Sequence, residues 1–89
     1  MPEITLTIRN KVGLHARPAA LLVQTAKGFK SSIEVVHSGR RADAKSILSV
    51  LTLGANQGAV ITLRAVGEDA DEALVALVNL IESNFGEEE

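Results

Sequence analysis

Hydrophobic and polar residues alternate at the start of the chain, where Ile4, Leu6 and Ile8 interleave with Glu3, Thr5, Thr7 and Arg9. That alternation predicts a strand with one buried face. The segment Asn10-Lys11-Val12-Gly13 turns the chain. From about Ala16 to Lys27 the period changes, and Ala19, Leu22, Val23 and Ala26 recur at helical spacing. Gly28 is the expected end of that helix, in the left-handed conformation that glycine tolerates. Ser32 to His37 reads as a second strand carrying Ile33, Val35 and Val36. Ser38-Gly39 then forms a hairpin turn into a short third strand around Arg40 to Ala42. Ser46 caps a short helix to about Leu53, closed by Gly54, and Gly58 to Val66 reads as a fourth strand built on Val60, Ile61, Leu63 and Val66.

The last element has the clearest pattern. Asp69 stands as N-cap with Glu72 three residues on, a variant of the capping box. Ala70, Ala73, Leu74, Leu77, Val78, Ile81 and Phe85 then form one helical stripe, and Gly86 with Glu87–Glu89 makes a short solvated acidic tail. The order β-α-β-β-α-β-α, with one apolar face per helix, predicts a single α+β domain over residues 1–89. Its antiparallel sheet is covered on one side by helices.

Length sharpens this picture. A chain of 89 residues folds to a radius of gyration of roughly 12 Å and buries about 60% of its unfolded surface. That leaves no room for an enclosed active site beside the core, so any chemistry belongs on the surface, with a partner completing the site. The absence of cysteine excludes disulfides and thiolate metal sites and suits a reducing cytoplasm. The opening MPEITLTIRN lacks the basic and apolar regions of a secretory signal. No apolar stretch approaches the roughly 18 residues that span a bilayer, so a soluble cytoplasmic protein without direct membrane insertion is expected. The net charge is −2 and the only aromatic residues are Phe29 and Phe85. A single-strand nucleic-acid reader needs stacking rings on a basic groove, which this chain cannot supply.

The chemistry concentrates in Gly13-Leu14-His15-Ala16-Arg17-Pro18-Ala19-Ala20. Proline fits a helix only in its first turn, where a missing N–H costs nothing. Pro18 therefore places His15 and Ala16 at the helix's N-terminal edge. The free N–H groups of Ala16 and Arg17, backed by the positive end of the helix dipole, form a ready site for phosphate. The same dipole favours an uncharged, nucleophilic imidazole, and the planar guanidinium of Arg17 suits phosphate oxygens. A lone histidine at such a place is ordinarily just solvated; the surrounding octapeptide changes that reading. The second histidine, His37, follows a strand and forms no triad with a placed serine. Two histidines without cysteine make a weak metal site, so no metal and no cofactor is expected. Gly54-Ala55-Asn56-Gln57-Gly58 lacks the Gly-Lys-Ser/Thr ending of a nucleotide loop and reads as a turn. His37 with Arg40 and Arg41 reads as a solvated hairpin.

Gly13-Leu14-His15-Ala16-Arg17-Pro18-Ala19 resembles the active-site signature of the HPr family, the histidine-containing phosphocarriers of the bacterial phosphoenolpyruvate:sugar phosphotransferase system. The resemblance spans essentially the whole chain. It includes Ala44-Lys45-Ser46-Ile47-Leu48 through Leu53-Gly54, similar to the family's serine-phosphorylation segment, and Gly67-Glu68-Asp69 before the final helix. It implies an open-faced β-sandwich of four antiparallel strands with three helices on one face. It implies that enzyme I, charged by phosphoenolpyruvate, phosphorylates His15 on Nδ1, that Arg17 and the helix N-terminus steady the phosphoryl oxygens, and that the group passes to a histidine of a sugar-specific enzyme IIA. It also implies modification of Ser46 by a kinase/phosphorylase, recruiting a transcriptional regulator. Position alone makes Ser46 a plain N-cap, and both readings stand. No stand-alone turnover is expected, and the carrier is expected to be a monomer.

Partner contacts beside His15 are expected from Ala16, Pro18, Ala20, Leu21, Gln24 and Lys27 on the first helix and Ile47, Leu48 and Leu51 on the second. Core packing is the competing use of their apolar members, and a short helix cannot bury all of its own. The chain departs from the family at Val12, where many members carry a small polar residue, leaving no side-chain acceptor before the active loop; its tail is also longer and more acidic. The same chemistry would serve a nitrogen-regulatory branch with other partners. A purely regulatory module that binds when Ser46 is phosphorylated is the rival from another class, and relatives so specialised tend to lack the histidine that this chain keeps.

Overall fold

The computed structural model describes residues 2–86. Strands β1 (Glu3–Thr7), β2 (Ser32–His37), β3 (Arg40–Asp43) and β4 (Val60–Val66) and helices α1 (Ala16–Lys27), α2 (Ile47–Thr52) and α3 (Ala70–Glu82) follow in the expected β-α-β-β-α-β-α order. The strands form one antiparallel sheet in the order β1-β4-β2-β3. Alternation does the sorting. Ile33 and Val35 of β2 and Ile61, Leu63 and Ala65 of β4 turn one face inward, and Val35 lies beside Leu63 in register. The other face stays open and polar, with Thr5 beside Thr62 and with Arg64 paired to Glu3 at 2.8 Å. Against the inner face pack Ala19, Leu22, Val23 and Ala26 of α1 and Ala73, Leu74, Leu77 and Ile81 of α3. The core is aliphatic apart from Phe85 and the half-buried Phe29.

The Ser38-Gly39 turn has positive φ at both residues, 49° and 79°, as a two-residue hairpin of right-handed twist requires. The hairpin is solvated as expected, with Ser38, Gly39, Arg40 and Arg41 exposed and His37 half-buried. His37 Nδ1 lies 3.1 Å from the Val60 carbonyl, and Arg40 Nη1 donates to the Thr52 carbonyl at 3.1 Å.

Several boundaries differ from the sequence expectation. Gly28 is right-handed (φ −73°) because its N–H and that of Phe29 continue bonding backward, to Thr25 and Ala26. Gly58 precedes β4 instead of opening it, at φ +90°, with its N–H given to the Ile8 carbonyl. Asp69 occupies the N-cap of α3, yet its carboxylate does not cap; it accepts from the Lys30 and Ser31 N–H groups and the Ser31 hydroxyl. Phe85 leaves the helical stripe. After α3 the chain turns left-handed at Asn84 and Phe85 (φ 55° and 58°), and this short 3-10 turn folds the ring back into the core. The acidic tail Glu87–Glu89 lies outside the described residues.

Candidate functional site

Two loops build the site. The chain leaving β1 runs beside the loop that precedes β4, stitched by Ile8 N–H to the Ala59 carbonyl (2.8 Å), Gly58 N–H to Ile8 (2.7 Å) and Leu14 N–H to Ala55 (2.7 Å). Gln57 Nε2 donates to the Arg9 carbonyl at 3.1 Å, and buried Asn10 closes the turn by donating from Nδ2 to the Gly13 carbonyl at 3.0 Å. Gly13 is required here twice over. Its φ is +66°, and a Cβ on it would collide with the Ala55 carbonyl oxygen and stand 2.6 Å from Asn56 Cα. Val12, 47% exposed, takes no part in this stitching, so the loop is held by Asn10 and the facing backbone without a polar side chain at that position. Leu14, fully buried, pins the next residue at the rim.

That residue is His15. It is the N-cap of α1, extended at φ −123° and ψ 160°, and its side chain makes no capping bond. The ring therefore leaves the helix axis instead of folding onto it, and it is half-buried. The first-turn amides of Ala16 and Arg17 have no intrahelical acceptor. No acidic residue in the first turn offsets the positive end of the dipole. Ala16 enters the helix at φ +48°, a left-handed conformation costing a residue with a Cβ about 1–3 kcal/mol; buried Leu14, Pro18 and Ala19 on either side hold it there. Arg17 is exposed and makes no hydrogen bond or ion pair among the described residues. His15 Nε2 lies 2.9 Å from Oδ1 of Asn56, on the facing loop. A nucleophilic ring, bare amide donors and a free guanidinium thus share one exposed helix end, an arrangement suited to a tetrahedral oxyanion.

The remaining expected residues separate by burial. Pro18 must be corrected: it lies on the buried face of α1 and offers a partner no surface. Ala20 and Leu21 are half-buried, while Gln24 and Lys27 are exposed further along α1. On α2 the core takes Val50 and leaves Leu48 74%, Ile47 37% and Leu51 36% exposed. Ser46 is the N-cap of α2, its hydroxyl accepting from Ser49 N–H at 3.3 Å. Asn56 escaped sequence reasoning. Its loop lacked nucleotide-loop chemistry, and only the pairing of that loop with residues 8–14 brings its amide to the imidazole. Among the described residues no group of histidines and carboxylates could hold a metal, and no helix is long and apolar enough to cross a membrane. A groove of about 590 Å³ lies elsewhere, on the polar sheet face around Glu34, Arg41 and Arg64.

Comparison with known proteins agrees with this geometry. A family model described as the PTS HPr component phosphorylation site matches residues 2–83. A phosphocarrier protein HPr of Xylella fastidiosa (strain Temecula1) is 48% identical over 88 residues, 99% of each chain. One from Cupriavidus necator is 48% identical over 83 residues, 93% of each. The crystal structure of HPr-C-His from Thermoanaerobacter tengcongensis superposes with a TM-score of 0.98 at 55% identity over the whole of both chains. A crystal structure of an HPr dimer from that organism reaches 0.80, covering 98% of this chain and 100% of its own.

Proposed function

The chain belongs to the HPr family, the phosphocarriers of the phosphotransferase system, and on that premise we propose that His15 is the residue that carries the phosphoryl group, from enzyme I to an enzyme IIA of sugar uptake. The Nδ1 lone pair forms a bond to phosphorus as the bond from phosphorus to enzyme I breaks, and the same exchange in reverse discharges the group onto a histidine of enzyme IIA. Arg17 and the Ala16 and Arg17 amides meet the three phosphoryl oxygens. What carries this reading is the placement of the ring: half-buried at the rim of a helix N-terminus with free N–H donors, a guanidinium two residues on, and no carboxylate in the first turn.

Phosphoryl transfer needs mainly positioning and charge stabilisation, so two shallow surfaces can complete the site where they meet. Leu48, Ile47 and Leu51 on α2, with Ala20, Leu21, Gln24 and Lys27 on α1, supply that surface here, and α1 packs against α2. A carrier must also let go quickly, which favours a small interface. The working form in this proposal is a monomer located in the cytoplasm, one copy supplying the ring, the guanidinium and the docking surface. The protein is a carrier without turnover of its own.

Phosphorylation of Ser46 is the regulatory arm of the proposal. The hydroxyl sits at a helix start, half-buried and beside the exposed Ile47 and Leu48. Phosphate there would add charge at the docking face, repelling an acidic partner and offering a transcriptional regulator a new contact.

Incubation with enzyme I and labelled phosphoenolpyruvate tests the whole. The expected product is acid-labile, base-stable phosphate that is absent from His15→Ala. No labelling by enzyme I, with only acid-stable phosphate at Ser46 under a kinase, would instead favour the regulatory module.

A further inference from the structure

The His15 imidazole is held at one nitrogen and left open at the other. Nε2 lies 2.9 Å from Asn56 Oδ1, and among the described residues Nδ1 has no partner. An amide oxygen accepts and never donates, so the bond places a proton on Nε2. A neutral imidazole has only one ring proton, and the lone pair therefore stays on Nδ1. The backbone that carries this amide is held. The Asn56 carbonyl accepts from Ala59 N–H at 2.9 Å, and Gln57 ties the loop to Arg9. Asn56 is exposed and serves no core packing.

We propose that Asn56 is a positioning residue for phosphoryl transfer, holding the His15 ring in its Nε2-protonated form with Nδ1 facing solvent. This rests on the reading that His15 accepts the phosphoryl group. As Nδ1 bonds to phosphorus and the donor departs with its electron pair, the ring gains one positive charge and keeps its proton on Nε2. No proton has to leave. The Asn56 oxygen already faces the atom where that charge appears, so the bond strengthens as transfer proceeds. On discharge the charge disappears and the ring returns to the same tautomer, ready for another cycle. The nearest charge along the chain is Arg17, and among the described residues no carboxylate forms an ion pair with the ring.

The test reads the ring nitrogens by 15N NMR of the unphosphorylated protein, at a pH where the ring is neutral, beside the rate of labelling by enzyme I. Wild type should show Nε2 protonated throughout. Asn56→Ala should return the ring to a mixture of tautomers and slow labelling roughly threefold to tenfold, the worth of one net hydrogen bond. Asn56→Asp should keep the tautomer, because a carboxylate accepts the same bond, while moving the pH dependence of labelling upward by favouring the charged ring. Gln57→Ala, which loosens the loop without touching the ring, should leave the tautomer as it is. Nδ1 protonated in wild type, unchanged tautomer and rate in Asn56→Ala, or a Gln57→Ala spectrum like that of Asn56→Ala overturns the proposal. Failure of wild type to label overturns the phosphocarrier reading of His15, and the NMR result then stands apart from it.

Discussion

The exposed guanidinium of Arg17 makes no bond among the described residues and so contributes nothing there to the fold. Its proposed use lies in the transferred group. Arg17→Ala should lower the rate of transfer roughly tenfold to hundredfold, the range of one charge-assisted hydrogen bond, with the melting temperature unchanged. Arg17→Lys should recover only part of that rate, since an ammonium lacks the planar fork. Rates from single-turnover labelling decide it. Asp69 is the opposite case, a side chain whose work is structural. The Ser31 hydroxyl and then the Lys30 N–H hold its carboxyl down from 3.8 to about 2. A lowered folded-state pKa adds stability above the unfolded value, and that stability is lost as pH falls. The melting temperature should therefore drop between pH 3.8 and about 2, and Asp69→Asn, lower at neutral pH, should show a flatter profile in that window.

At the scale of elements, the decisive contact is the one between the loop after β1 and the loop before β4. Gly13→Ala forces a Cβ into the Ala55 carbonyl at a left-handed position. It should cost about 2–4 kcal/mol by urea unfolding and carry His15 away from Asn56. This is also where the sequence was least legible. Periodicity found β1, β2, β4, α1 and α3, because β2, β4, α1 and α3 each bury a regular face. Turn and cap signals placed β3 and α2, and nothing signalled the 3-10 turn at Asn84–Gly86. Local pattern placed the Ser46 cap and put Pro18 in the first turn. It could not see that the Asp69 carboxylate would prefer three donors at Lys30 and Ser31 over its own helix. Nor could it see that Phe85 would turn inward after the helix ends. Both depend on contacts between residues distant in the chain. The same limit hid Asn56, while the placement of His15 and Arg17 together at one helix start was readable from seven consecutive residues.

Over the whole molecule, the radius of gyration of 11.5 Å matches a chain too small to enclose a reaction, so partner recognition becomes part of the chemistry. Leu48 is the most exposed large apolar side chain among the described residues, at 74%, on the helix α2 that packs against α1. Leu48→Asp should change stability by less than about 0.5 kcal/mol. It should slow transfer from enzyme I by about tenfold, the value of one leucine left without apolar cover, while His15 stays chemically competent. Equal rates for the variant and wild type at low enzyme I concentration would remove α2 from the docking face.

In the proposed cycle the travelling phosphoryl group sits on one atom, Nδ1 of His15. The direct measurement is 15N and 31P NMR of the protein after charging by enzyme I and phosphoenolpyruvate, repeated after enzyme IIA is added. A single phosphorus bonded to Nδ1 of His15, lost to enzyme IIA, is the predicted result. Phosphorus on His37, on Nε2 of His15 or on a serine alone would contradict it.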